Sequence, residues 1–108
     1  MSVTSKENTD LLRMERWMQV ALEQARQAAS EGEVPIGAVA VRDQEILCRD
    51  HNRSIQLSDP TAHAEVLVLR EAGRKLGNYR LSNVDLYVTV EPCAMCAGAL
   101  IWARIHRL

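Results

Sequence analysis

Two short stretches limit what this chain can become: His63-Ala64-Glu65 and Pro92-Cys93-Ala94-Met95-Cys96. One imidazole and two thiols make three good zinc ligands. A catalytic zinc centre takes three protein ligands and keeps its fourth position for water. If both stretches address one ion, the chain between them must leave and return, so the fold has to bring two distant segments together. Glu65 is not needed as a ligand, and a carboxylate beside such an ion is a proton carrier.

The local signals agree with that reading. Cys93 and Cys96 are spaced to share one face of a helix. They fall in a first turn, just after Pro92, where unpaired backbone N–H groups and the helix dipole favour thiolate. His63 takes a similar place after Asp59-Pro60-Thr61, with Asp59 expected as the cap and Pro60 at the first helical position. Two helix N-termini would then converge on one cation. His63 and Glu65 fall on roughly opposite sides of an ideal helix and can share a site only near its start. A Cys-x-x-Cys alone would equally suit a structural zinc site or a redox pair. A structural site closes with a fourth Cys or His, for which Cys48, His51 and His106 are the spare candidates. A redox pair leaves His63-x-Glu65 unexplained. Both half-motifs in order, each opening a helix, point to catalytic zinc.

The rest of the chain reads as a frame. Residues 1–9 are expected to be a disordered polar tail. A helix follows from Leu11, capped by Asp10 and ended by Gly32, with Met14, Trp17, Met18, Ala21, Ala25, Ala28 and Ala29 at helical spacing. Strands are expected over 38–41 and 46–49, joined by a turn at 42–45, although Gln44 is not the glycine a tight hairpin favours. A helix over 62–76, a strand over 86–90 and a helix from Glu91-Pro92 to Ala103 complete the pattern, and residues 104–108 approach another strand. Cys48 is expected to be a small buried hydrophobe and His51 a surface histidine in a polar loop. Asn52 either caps a turn or reads a polar ligand edge with its amide. A strand–helix–strand unit packs its crossover helix on the sheet, so the fold is an α/β layered domain with a mixed sheet.

Composition excludes several classes. The core must be aliphatic: 47% of residues are apolar, yet Phe is absent. A net charge of −1 means that any nucleic acid is held by a local patch and not by a global field. No apolar run approaches the roughly 20 residues that span a membrane. Three cysteines without a secretory signal suit metal binding in a reducing cytosol.

The His-x-Glu and Pro-Cys-x-x-Cys pair is the signature of zinc deaminases of nucleobases. More of the chain resembles one branch of them. Glu33-Val34-Pro35-Ile36-Gly37-Ala38-Val39, His51-Asn52-Arg53, Asp59 to Glu65, Asn78-Tyr79-Arg80-Leu81 and Leu86 to Cys93 are similar to the bacterial tRNA-specific adenosine deaminases. The resemblance covers roughly Met14 to Leu108. It implies a three-layer α/β/α cytidine-deaminase-like fold over residues 10–108, with the C-terminal strands and helices of the family missing. It implies one Zn2+ per chain, held by His63, Cys93 and Cys96, with Glu65 as the catalytic proton shuttle. Asn52 would contact the base, and Val34 and Ala64 would line its pocket. The substrate implied is a tRNA anticodon stem-loop, whose wobble adenosine is flipped out and converted to inosine by a cytoplasmic homodimer, with no DNA or membrane partner. Two departures stand out: His51 where some members have Trp, and the Ile55-Gln56-Leu57-Ser58 loop. Arg70, Arg74, Lys75, Arg80, Arg104 and Arg107 are candidates for phosphate contacts, or else plain solvated surface. A deaminase of a free base or nucleoside such as guanine or cytosine, and a catalytically inactive zinc-binding fragment, are the competing expectations.

Overall fold

The computed structural model describes residues 5–90 and 93–105. The first helix, α1, spans Ser5–Ser30. It starts before the expected cap, so Asp10 lies within it. Nothing between Ser5 and Ser30 breaks a helix, neither Gly nor Pro, and propagation is cheap once a helix is nucleated. Trp17, Ala21, Ala25 and Ala28 form its buried stripe. Met14 and Ala29, expected in that stripe, are exposed, and Met18 is half-buried. Gly32 ends the helix as expected, at φ +76°. The Glu33 N–H donates to the Ala28 carbonyl at 2.9 Å and the Gly32 N–H to the Ala29 carbonyl at 3.1 Å. That pair of bonds is a Schellman closure.

The hairpin forms from β1, Gly37–Arg42, and β2, Glu45–His51. Its two turn residues, Asp43 and Gln44, both have positive φ, 52° and 64°. This is the type I′ pattern, whose twist matches that of the flanking strands. The ladder shifts register between Ala40 and Val41, which leaves Leu47 as an extra residue on β2. β2 runs further than expected and includes His51.

The helix α2, Ala64–Leu76, leads to β3, Asp85–Val88, and then to α3, Ala94–Ala103. The sheet order is β2-β1-β3. Both ladders are antiparallel, so β2 and β3 run in the same direction with β1 between them. The parallel neighbours of the expected mixed sheet are not among these three strands. The Glu91-Pro92 helix opening and the approach of residues 106–108 to a further strand lie outside the described residues.

Three layers result. On one face of β1, Val39 and Val41 pack with Trp17 and Ala21 of α1. On the other, Ala38 and Ala40 pack with Val68, Leu69, Ala72, Leu86 and Leu100. β1 is buried on both sides, which explains its unbroken run of small apolar residues. Gly37 permits the close approach of α1. A Cβ there would stand 2.1 Å from the Ala21 carbonyl oxygen and 2.6 Å from the Ala25 nitrogen. Cys48 is buried, as expected, with its sulfur 3.3 Å from the Val68 carbonyl oxygen. No described helix is long and apolar enough to cross a membrane.

Candidate metal centre

The α2 start corrects the sequence reading. Asp59 does not cap α2. Its Oδ1 accepts from the Thr61 N–H at 2.8 Å and the Thr61 hydroxyl at 2.7 Å, which makes a separate turn before the helix. The N-cap is His63 itself, with extended backbone at φ −80°, ψ 151°. Because His63 stands outside the helix, the ideal-helix objection to pairing it with Glu65 disappears. Cys93 has the same role at α3, as N-cap with φ −71°, ψ 174°. Cys96 follows on the first turn of α3. Each half-motif therefore puts a metal-ligating side chain at the positive end of a helix.

His63, Cys93 and Cys96 converge. Their ligand atoms all lie within 4.8 Å of one another. His63 Nδ1 is 3.6 Å from Cys93 Sγ and 3.5 Å from Cys96 Sγ. Tetrahedral zinc with bonds of about 2.3 Å to sulfur and about 2.0–2.1 Å to nitrogen sets that separation at about 3.6 Å. The three residues thus form a zinc-binding triad.

The electrostatics also fit a cation. Cys93 is exposed, and its thiol is held below the ordinary range, first by the Cys96 backbone N–H. Neither N-cap side chain makes a regularly aligned cap bond, so this is attraction towards open helix donors. Cys96 is pushed the other way, to about 12, by burial first and then by the Glu65 charge and Cys93. Two sulfurs and a carboxylate this close cannot all be anionic without a positive ion among them. Glu65 is itself buried, and its Oε1 has no hydrogen-bond partner among the described residues. When bound, zinc supplies Lewis acidity and makes hydroxide available near neutral pH.

The substrate-facing candidates are placed unevenly. Asn52 is buried, and its Oδ1 accepts the Ala64 N–H at 2.8 Å. Ala64 is fully buried as the first residue of α2. Val34 stands 58% exposed on the connection between α1 and β1. His51 is corrected from surface to core: it is fully buried at the end of β2. Sequence reasoning missed two acidic partners here, Glu31 and Glu33. His51 Nε2 lies 2.9 Å from Glu31 Oε2. Buried Glu33 accepts from the N–H groups of Ile55 and Gln56 at 3.1 and 2.8 Å, tying the unusual loop to the end of α1. The available signal was two acidic residues flanking Gly32 at a helix C-terminus, where the dipole disfavours them unless they have partners. Of the basic candidates, Arg74 pairs with Glu71, Arg70 lies 3.8 Å from Asp59 and Lys75 donates to the Leu47 carbonyl. These three serve the local surface. Arg80 lies over the Tyr79 ring. Arg107 is outside the described residues.

Three protein ligands for zinc and a buried carboxylate against one of them, on a three-layer α/β/α frame, form a zinc-binding region of the kind that deaminases carry. Residues 12–108 match the profile of the cytidine and deoxycytidylate deaminase zinc-binding region, and the chain belongs to that family. Within it, the chain is 53% identical over 92 residues to the tRNA-specific adenosine deaminase of Buchnera aphidicola subsp. Schizaphis graminum, covering 85% of this chain and 61% of that one. A solved structure from work on A-to-I editing by tRNA:A34 deaminases at the wobble position superimposes with a TM-score of 0.85 at 52% identity, covering 87% of this chain and 68% of the other. The guanine deaminase of Bacillus subtilis superimposes with a TM-score of 0.84 at 40% identity, covering 86% of this chain and 60% of the other. The chain spans 55–61% of the length of the first curated relatives it matches.

Proposed function

We propose that the protein hydrolyses the wobble adenosine of a tRNA anticodon to inosine, with zinc held by His63, Cys93 and Cys96. The observation that carries this reading is the buried, unpartnered Oε1 of Glu65 against a triad with zinc spacing. Identity of 53% to a tRNA-specific adenosine deaminase supports the choice of substrate. Glu65 takes one proton from water as the water oxygen bonds to the amine-bearing ring carbon, and passes that proton to the adjacent ring nitrogen. It then carries the second proton from the new hydroxyl to the amine, so that the C–N bond breaks, a carbonyl forms and ammonia departs. With Asn52 Oδ1 engaged by Ala64, the Asn52 amide hydrogens are the side offered to the base. Val34 and Ala64 flank the base.

The anticodon stem-loop is met as RNA with its base flipped out. Arg80 with Tyr79, and Arg104 beyond α3, are the basic residues offered to its backbone. A second copy of the chain is the assembly partner. Ile101 and Trp102, exposed by 76% and 79% near the end of α3, supply an apolar face for it. The reducing cytosol suits the thiolate ligands.

The likeness to a guanine deaminase favours one second reading, deamination of a free base. Zinc-loaded protein incubated with an anticodon stem-loop, and separately with free purines and cytosine, decides between them. Inosine in the RNA is the expected product. Ammonia from free base alone would replace the RNA reading. No product from fully metallated, cooperatively folded protein would leave a zinc-binding fragment without turnover.

A further inference from the structure

His51 is fully buried at the end of β2, with one ring nitrogen hydrogen-bonded and the other facing a carboxylate. Nδ1 lies 2.9 Å from the Asn52 carbonyl oxygen. A carbonyl only accepts, so Nδ1 carries a hydrogen and donates it. Nε2 lies 2.9 Å from Glu31 Oε2, bent from ideal alignment, and has no better partner. The contact is one of proximity and not of hydrogen-bond alignment. The ring therefore spans from the end of α1 to the Asn52 peptide.

Asn52 is held from three directions. Its N–H donates to the Ile36 carbonyl at 3.1 Å, its carbonyl accepts from His51, and its side-chain oxygen accepts from the Ala64 N–H. Ala64 lies between His63 and Glu65 and contributes one of the open N-terminal donors of α2. His63, as N-cap, makes no side-chain cap bond, so Asn52 supplies what the cap does not. Packing alone does not ask for an imidazole here, because an aliphatic side chain of equal volume would bury without desolvating a polar ring.

We propose that Glu31 and His51 clamp Asn52, fixing the start of α2 and with it the metal-ligating His63 and the Glu65 carboxylate. His51 is thus a positioning residue for the metal centre. The proposal rests on the zinc reading of that centre, and its test is metal affinity and not turnover. An asparagine at position 51 places its amide nitrogen near that of Nδ1, and a glutamine places it near that of Nε2. Zinc competition against a chromophoric chelator, and the visible spectrum of the cobalt-loaded protein, are measured on the full chain and its variants. His51→Gln is expected to weaken zinc by about 10-fold or more, while His51→Asn stays within about 3-fold of the unaltered protein. In an Asn52→Ala background, His51→Gln adds no further loss, because both act through one contact. Glu31→Ala, at a part-exposed position that accepts truncation, weakens zinc slightly, to the same extent as His51→Asn, because each loses only the contact between Glu31 and the ring. Equal affinities for His51→Asn and His51→Gln, additive losses with Asn52→Ala, or a Glu31→Ala affinity that departs from that of His51→Asn each overturn the clamp while the zinc centre stands. Absence of zinc binding in the unaltered chain overturns both.

Discussion

Glu65 is the residue on which the proposed chemistry turns. Its position was legible from spacing to His63; its burial and its unpartnered oxygen were not. Glu65→Gln keeps the shape and removes the proton acceptor. Turnover is expected to fall by about 10²–10⁴-fold, the usual worth of a positioned acid–base group. Zinc stoichiometry, measured by metal analysis, stays at one per chain, and a variant with near-normal rates would remove Glu65 from the mechanism. Cys48 gives a second prediction at this scale. Burial, assisted by Glu71 and Asp50 against Lys75, pushes its thiol from 9.0 to about 11. The folded chain therefore holds this proton more tightly than the unfolded one. The resulting stability is present in full below about pH 9 and is lost as pH rises through about 11. Denaturant melts of zinc-loaded protein across that window should show a steeper alkaline decline for the unaltered chain than for Cys48→Ala.

Elements were mostly legible, and their ends were not. The hairpin and the two site-bearing helices were expected from the sequence, the helices from the proline-marked openings before them. The start of α2 was misplaced because Asp59-Pro60-Thr61 carries every helix-opening signal, yet its side-chain bonds close on themselves. The start of α1 was placed too late because Asp10 is a good cap residue, but no breaker precedes it and the helix continues through it. Gly37 matters at the joint between α1 and β1. Gly37→Ala drives a methyl into helix backbone, which cannot swing aside as a side chain can. Overpacking of this kind costs about 1–3 kcal/mol. A thermal melt should show Tm lowered by several degrees, and an unchanged Tm would mean that α1 can back away from the sheet.

For the molecule as a whole, the metal joins two elements that sequence holds far apart, the starts of α2 and α3. Zinc binds the folded triad and not an extended chain, so it stabilises by mass action, by about 2.7 kcal/mol at a hundredfold excess over Kd. Melting with and without a chelator should show a clear drop in Tm on metal removal. In Cys93→Ala, with one ligand gone, the chelator should change Tm little. A chelator-independent melt of the unaltered chain would mean that the triad does not carry metal.

Sequence alone determined the ligands, the carboxylate beside them and the layered α/β frame, because ligand chemistry and hydrophobic period are local properties that spacing preserves. Only the tertiary structure decided that His63 and Cys93 are N-caps at the starts of their helices. Only it decided that Asp59 caps nothing but its own turn, and that His51 lies in the core against Glu31. Those outcomes depend on which groups from distant parts of the chain arrive to take a donor or cover a ring, and no window of neighbouring residues contains that information.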